Sequence, residues 1–491
     1  MPVTLSLNTL SDLPETVGRP AYDRADLSAG ILHFGVGNFH RAHQACYLDR
    51  LFSTGQGHDW AIIGAGVMPG DSKARQVLAA QGFLTTVVAQ EAETSTAHVT
   101  GAMLDYIDPT DAAAITQRLA DPAIRIVSLT ITEGGYFLDA GGRFDPAHPD
   151  ILHDAAEPEM PRTVFGLMLK GLRMRRAGGT PPFTVMCCDN IPHNGHVTRN
   201  TLVGLARLID PNLAQWVQDQ VRFPNGMVDR ITPATSDRER NILRDDFGVT
   251  DGWPVFCEGF TQWVLEDDFP LGRPPLEQVG VQFVPDVTPY EFMKIRILNG
   301  GHAVIAYPAG LLDIHFVHEA MEHPLIRAFL QKLEREEIIP GVPPVPDTDI
   351  STYFDLIEQR FLNPKIGDTV RRLCLDGSNR QPKFIVPSIT DALARDGRID
   401  GLALESALWC RYCAGVSESG AVIAPNDPNW DHLQTTAQAA QTDPRAWLKM
   451  RDVYGELADN ERFAAAFSNA LNALWQEGTV SVLQRYLDET L

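Results

Sequence analysis

No apolar run in this 491-residue sequence approaches the roughly 20 residues that span a bilayer. The opening residues, MPVTLSLNTLSDLPE, carry neither a basic region nor a long apolar core, so no secretory signal is expected. Positive charge is scarce: 41 Lys and Arg stand against 63 Asp and Glu, a net charge of -22. That balance argues against a nucleic-acid partner, which needs clustered cations to meet phosphates. It favours solubility and leaves room for a small anion held by a few local Arg. Cysteine is sparse too. Seven in a chain of this length do not make a disulfide framework. Cys410-Arg-Tyr-Cys413 has no second pair to complete a metal site and lies in an apolar helical run, where buried thiols are expected. A reducing cytoplasm fits. Repeats and low-complexity tracts are also missing, and no membrane partner is expected.

What remains is the composition of an ordinary globular protein, 44% hydrophobic and 21% charged. Its length exceeds the roughly 250–300 residues at which a single core stops growing, so two domains are expected. From about residue 28 to 190, short β-type runs (ILHFGVG, WAIIGAGV, LTTVVAQ, IRIVSLTIT, PFTVMCCDN) alternate with helical stretches such as HRAHQACYLDRLF, SKARQVLAAQ and DAAAITQRLA. That alternation predicts an α/β fold with a mostly parallel, doubly wound Rossmann-type sheet. Ligands bind such sheets at the carboxyl ends of the strands. Three loops should therefore gather there: the Gly35-Val36-Gly37 turn, the Thr132-Glu133-Gly134-Gly135 end and the Asp189-Asn190 end. The first resembles a dinucleotide turn but has His40 where the third glycine of G-x-G-x-x-G allows close helix–strand packing. Alone, the turn is open to either reading, a cofactor turn or an ordinary glycine turn; the fold context favours the cofactor.

Beyond Gln282–Val287 most segments read as helices, including EFMKIRILNGGHAVIAY, LIRAFLQKLEREEI, STYFDLIEQRFL and ALESALWCRYC. The domain boundary is placed near 285, with 1–285 as the dinucleotide domain and 286–491 as a mainly α-helical C-terminal domain. GVPPVPD at 341–347 is expected to be a stiff surface connection. The most informative segment is 288-TPYEFMKIRILNGGHAVIAYPAG-310. Thr288, Pro289 and Glu291 fit N-cap, N1 and N3 of a capping box. In an unbroken helix at about 100° per residue, Lys294, His302 and Asn299 fall at roughly 0°, 80° and 140°, all toward one side. Gly300-Gly301 would let a backbone or ligand approach closely. Singly, each of these residues has an ordinary reading as a solvated charge or a hydrogen-bonded core group. Together they suit alcohol oxidation. That reaction needs a base, which a Lys becomes when burial lowers its pKa from about 10.4. It also needs neutral donors, such as Asn amides, for a developing alkoxide.

The stretches HFGVGNFHRAHQACY, IRIVSLTITEGGY, FTVMCCDNIPHNGHVTR, FPNGMVDRITP, QWVLEDDF, VGVQFVPDVTPYEFMKI with LNGGH, and DGSNRQPKF run in order from near residue 30 to 385. In them the chain resembles the polyol-specific long-chain dehydrogenases, most closely their mannitol 2-dehydrogenase branch. The resemblance implies a two-domain, zinc-independent enzyme that interconverts D-mannitol and D-fructose with NAD. It places the cofactor at Gly35, Gly37, Phe39 and Arg41, with Asp71 accepting ribose hydroxyls; Glu133, in the second of the gathered loops, is a further cofactor candidate. It implies Lys294 as general base and Asn190 and Asn299 as an oxyanion hole. His302, Asp229 and Arg372 would bind substrate, and Glu291 would exchange protons with solvent, a role compatible with its capping position. Arg380 stands where the family pattern has Lys, a planar donor that could alter which polyol fits. Gly70 stands where a second acid can occur. With Lys73 and Arg75 nearby, that leaves some NADP use open. A monomer is implied.

Three readings compete with this one. The first is a zinc enzyme, for which His40 and His43, His193 and His196, and His315 and His318 have ligand-like spacing; no Cys or Glu supports them at the spacing that three catalytic ligands require. The second is a related hexuronate (fructuronate) reductase or an arabinitol or sorbitol dehydrogenase. The third is a silent module that senses NAD or sugar, against which the Lys294, Asn190, Asn299 and His302 set argues.

Overall fold

Four apolar runs are buried along nearly their whole length, as strands of a parallel sheet covered on both faces must be. These are β1 (Ala29–Phe34), β2 (Ala61–Ala65), β4 (Ile126–Leu129) and β5 (Thr184–Cys187). With β3 (Met103–Ile107) they form a five-stranded sheet in the order β3-β2-β1-β4-β5, every pairing parallel. The register leaves the carboxyl ends flush: Phe34 lies beside both Ala65 and Leu129, and Leu129 lies beside Cys187. The loops that follow therefore start from one row. The computed structural model describes residues 1–66, 68–139 and 141–491, so Val67, the last residue of the second β-type run, lies outside the described residues. The chain divides into two compact units, Met1–Thr288 and Pro289–Leu491.

One strand differs from the sequence reading. LTTVVAQ does not join the doubly wound sheet. Thr85–Gln90 pairs antiparallel with Ser95–Thr100 and parallel with Val255–Glu258, in a separate four-stranded sheet completed by Val17–Gly18. The third strand of the parallel sheet is MLDYI, in which only Met103 and Tyr106 are buried and Asp105 interrupts the apolar run. A three-stranded sheet of Gly226–Asp229, Gln262–Glu266 and Gln282–Val284 completes the first unit.

Among the described residues, every regular element from Thr288 onward is helical. The helix opening at Thr288 has its first amide accepted by Asp286 Oδ1 at 2.9 Å. It does not continue as a uniform α-helix: Thr288–Met293 is followed by a π-helical segment, Lys294–Asn299, and then by Gly300–Leu311. The helix Asp400–Cys413 is buried almost all round, and Cys410 and Cys413 are buried free thiols on it.

The same helix carries Glu405, fully buried, with Gln381 Nε2 donating to its Oε1 at 2.6 Å. Burial pushes its carboxyl up to about 8 from an ordinary 4.5. The folded chain thus retains a proton that the unfolded chain releases near 4.5, so this group's contribution to stability declines as pH rises from about 4.5 to 8. Glu405→Gln should remove that decline, stabilising the protein at pH 8 relative to pH 5 by on the order of 2–4 kcal/mol. Denaturant titrations of both proteins at the two pH values check it; parallel pH dependence would contradict the assignment.

Candidate active site

At the end of β1 the chain turns through Gly35 with φ +93°. A Cβ there would stand 2.0 Å from the Thr130 carbonyl oxygen, so only glycine fits. The Gly35 carbonyl accepts from Gly37 N at 2.7 Å and from Thr130 Oγ1 at 2.6 Å. Gly37 then precedes the short helix Asn38–Ala42. A Cβ on Gly37 would meet nothing closer than the Gly35 carbonyl at 3.9 Å. Packing within the protein therefore does not require glycine there, whereas close approach of a pyrophosphate to the backbone does. These residues fit a dinucleotide.

His40 resolves the missing third glycine. Its ring lies flat on that of His33 in β1, centroids 3.5 Å apart and 14° from parallel. A planar ring stacked on a planar ring thus closes the helix-to-strand gap. Burial holds both imidazoles neutral, His33 pushed down to about 3 and His40 well below its usual range. His33 is fixed in turn by Ser128 Oγ (2.8 Å) and Thr130 Oγ1 (3.0 Å).

The neighbouring candidates divide by what they touch. Phe39 stacks on His43, with 4.8 Å between centroids. The guanidinium of Arg41 is buried, bonded to Gly37 O (3.3 Å), Asn38 Oδ1 (2.8 Å) and the Trp253 carbonyl, and lies 4.1 Å above the Trp253 ring. Its hydrogen bonds therefore hold the turn from inside. Asp71 opens the helix Asp71–Ala80 and accepts from Met68 N at 2.9 Å. Arg75, a candidate for a 2′-phosphate, donates through Nε to the Tyr106 carbonyl. Of the histidine pairs with ligand-like spacing, His40 and His43 are taken up by ring stacking and His193 stacks on His196. Among the described residues no group of three or more His, Cys, Asp or Glu is placed to hold a metal ion.

The other two loops meet through Asp189. Its carboxylate accepts from Ile131 N (2.8 Å), Thr132 N (3.1 Å) and Tyr136 OH (2.7 Å), which ties the end of β5 to the loop after β4. Desolvation raises the Asp189 pKa even so. Glu133 is exposed on the turn Glu133–Tyr136, and Asn190 is exposed directly after Asp189. Asp229 is buried at the end of Gly226–Asp229.

In the second unit Lys294 is 6% exposed and Glu291 7%. The π-helical segment bonds i to i+5. Asn299 thus comes about one turn above Lys294, where the unbroken helix read from the sequence sets them roughly 140° apart. The Gly300-Gly301 pair faces the protein's own groups: a Cβ on Gly301 would stand 3.3 Å from Glu334 Oε1, and one on Gly300 would stand 3.6 Å from the Phe384 carbonyl oxygen. His302 stacks on Phe361, 4.3 Å between centroids and 20° from parallel. Burial, with the positive charges of Arg372, Arg360, Arg380 and Lys294, holds it neutral. Its Nε2 is buried and has no hydrogen-bond partner among the described residues, and the same holds for Asn299 Oδ1. Buried polar atoms are normally satisfied, so these two are candidates to meet a ligand. Arg372 makes a two-pronged ion pair with Asp368, and Arg380 Nη1 donates to the carbonyls of Arg372 and Leu373 at 3.2 Å. Sequence reasoning missed Arg360 and Phe361; both end the helix Ile350–Phe361, which looks like ordinary amphipathic sequence.

A parallel sheet of this order with a glycine turn ending its central strand defines the class of dinucleotide-binding Rossmann proteins. The family described as mannitol dehydrogenase Rossmann domain matches residues 29–278, and that described as mannitol dehydrogenase C-terminal domain matches 286–475. The mannitol 2-dehydrogenase of Cereibacter sphaeroides is 60% identical over 476 residues, covering 97% of this chain and all of that one. The structure of a Pseudomonas fluorescens mannitol 2-dehydrogenase in ternary complex with NAD and D-mannitol is 43% identical, covers 99% of this chain and 100% of that one, and superposes with a TM-score of 0.89. A D-sorbitol dehydrogenase in substrate-free form is 35% identical, with a TM-score of 0.91 over 98% of this chain and 100% of that one. The chain belongs to the mannitol dehydrogenase family.

Gly35→Ala should destabilise the first unit by at least about 1–3 kcal/mol, because it adds both a strained φ and a clash with the Thr130 carbonyl. Urea unfolding checks it; an unchanged midpoint would show that the turn can relax.

Proposed function

We propose that this chain is an NAD-dependent mannitol 2-dehydrogenase that interconverts D-mannitol and D-fructose. The observation that carries this reading is the pair of buried polar atoms unpartnered among the described residues, His302 Nε2 and Asn299 Oδ1, on the helix of the buried Lys294. When bound, NAD supplies the hydride acceptor, and Gly35, Gly37 and Phe39 would hold it. Asp71 would receive the ribose hydroxyls, and Glu133 would lie on the rim of the same loops. Lys294 Nζ takes the hydroxyl proton in oxidation and returns it in reduction. The amides of Asn190 and Asn299 hold the negative charge that develops on the oxygen. Neutral His302 donates to or accepts from a substrate hydroxyl, and Asp229 accepts from others. Glu291, buried one turn before Lys294, passes the proton onward. Arg372 and Arg380 bound the substrate's far end.

The two arginines bear on the sugar-acid alternative. A hexuronate would need cations for its carboxylate, and one of the two, Arg372, is already paired with Asp368. This favours a neutral polyol. No helix among the described residues is long and apolar enough to cross a membrane, and we read the enzyme as a cytoplasmic monomer. NADH formation on mannitol, arabinitol, sorbitol, mannonate and altronate tests the substrate assignment, with mannitol expected to lead. A clear preference for either acid would overturn it.

Lys294→Ala should lower mannitol oxidation by roughly 10²- to 10⁴-fold, the range for loss of a general base. NADH binding should persist, and chelators should leave the wild type untouched. Near-full activity in the variant, or loss of wild-type turnover with a chelator, would refute the lysine mechanism. Asp71→Ser should raise NADP use relative to NAD by removing repulsion of the 2′-phosphate; an unchanged ratio of kcat/KM would place Asp71 away from the ribose.

A further inference from the structure

Asn190 follows the end of β5 on a stretch of six residues, bounded by Cys187 and the helix Asn194–Ile209. A donor that must meet developing charge cannot wander, yet Asn190 itself is exposed. Its backbone is braced instead. The Asp189 carbonyl accepts from Ile191 N at 2.9 Å, so Asn190 is the middle residue of a three-residue turn. The same carbonyl accepts from Asn194 Nδ2 at 3.1 Å. Asn194 is fully buried, and its Nδ2 also reaches the Cys187 carbonyl at 3.3 Å and the Gly226 carbonyl at 2.7 Å. Its Oδ1 accepts from Gly226 N at 2.9 Å. One side-chain amide thus grips both backbone groups of Gly226, which begins the strand ending at Asp229, the carbonyl that ends β5 and the carbonyl just before Asn190. Gly195 makes the grip fit: a Cβ there would stand 2.3 Å from the Phe223 carbonyl oxygen and 2.7 Å from that of Pro224. From the opposite side, the Asp189 carboxylate is held by Ile131 N, Thr132 N and Tyr136 OH.

We propose that Asn194 is a positioning residue for the reaction: its amide sets the Asn190 turn against the strand that carries Asp229, so that the Asn190 donor is in place before charge develops. This rests on the reading of Asn190 as an oxyanion-hole donor. Preorganisation of such a donor is what makes it effective, and displacement by an ångström can cost about 10²-fold.

The test is a double-mutant cycle on kcat for mannitol oxidation, with Asn190→Ala, Asn194→Ala and the pair. Asn194→Ala should lower kcat by about tenfold to a hundredfold, short of the ~10²–10³ for outright removal of a donor. KM for mannitol and the dissociation constant for NADH should stay within about threefold, since the reacting oxygen rather than ground-state binding is affected. In the Asn190→Ala background, Asn194→Ala should cost less than about threefold more, because residues acting as one unit are not additive. Asn194→Ser, which keeps a shorter donor, should recover part of kcat and is the variant measured if alanine does not fold. Equal losses in both backgrounds, a full kcat in a folded Asn194 variant, or failure of both variants to fold would overturn the proposal, the last by assigning Asn194 to stability alone. Full activity in Asn190→Ala would instead sink the oxyanion reading of Asn190, whatever Asn194 does.

Discussion

At the end of the central strand, the Thr130 carbonyl stands where a side chain on residue 35 would have to be. The exclusion runs both ways. Residue 35 is confined to glycine, and the chain after β4 is free to lie against the turn and bond to it through Thr130 Oγ1. Flush strand ends carry the constraint outward. From Thr130 it passes to the amides of Ile131 and Thr132, from these to Asp189, and from Asp189 to Asn190. A turn that makes room for a dinucleotide is thereby in mechanical continuity with a loop proposed to act on substrate, with hydrogen bonds and one steric exclusion as the links.

Much of this was legible from residue pattern alone. Buried parallel strands must be apolar throughout, so β1, β2, β4 and β5 announced themselves, and helical periods followed them. The third strand did not, because MLDYI carries Asp105 and buries only Met103 and Tyr106, while LTTVVAQ looked equally suited and sits in another sheet. Strand character is a local property; sheet membership is decided by long-range pairing that no short run encodes. The site followed the same division. Residues with distinctive chemistry, such as Lys294 and His302, could be singled out as candidates, whereas Asn194, Phe361 and Arg360 lie beside neighbours distant in sequence or within an ordinary amphipathic helix.

The His33–His40 stack shows how a motif's requirement can be met by other means. The third glycine of a dinucleotide fingerprint solves a spacing problem between helix and strand, and two stacked, neutral imidazoles solve it here. Their neutrality follows from burial, and Ser128 and Thr130 orient the lower ring. What matters physically is the gap and what fills it.

The π-helical stretch at Lys294–Asn299 has an evolutionary corollary. A π turn takes up one extra residue within a helix, so the helix beyond it keeps the phase it would have without that residue. Downstream lies Gly300–Leu311, buried over ten of its twelve residues. A single-codon deletion there would leave that apolar cylinder in phase with its neighbours and alter the placement of Asn299 relative to Lys294 instead. The π segment is therefore a place where the packed helix beyond it is indifferent to one residue of length, while the spacing of Lys294 and Asn299 is not.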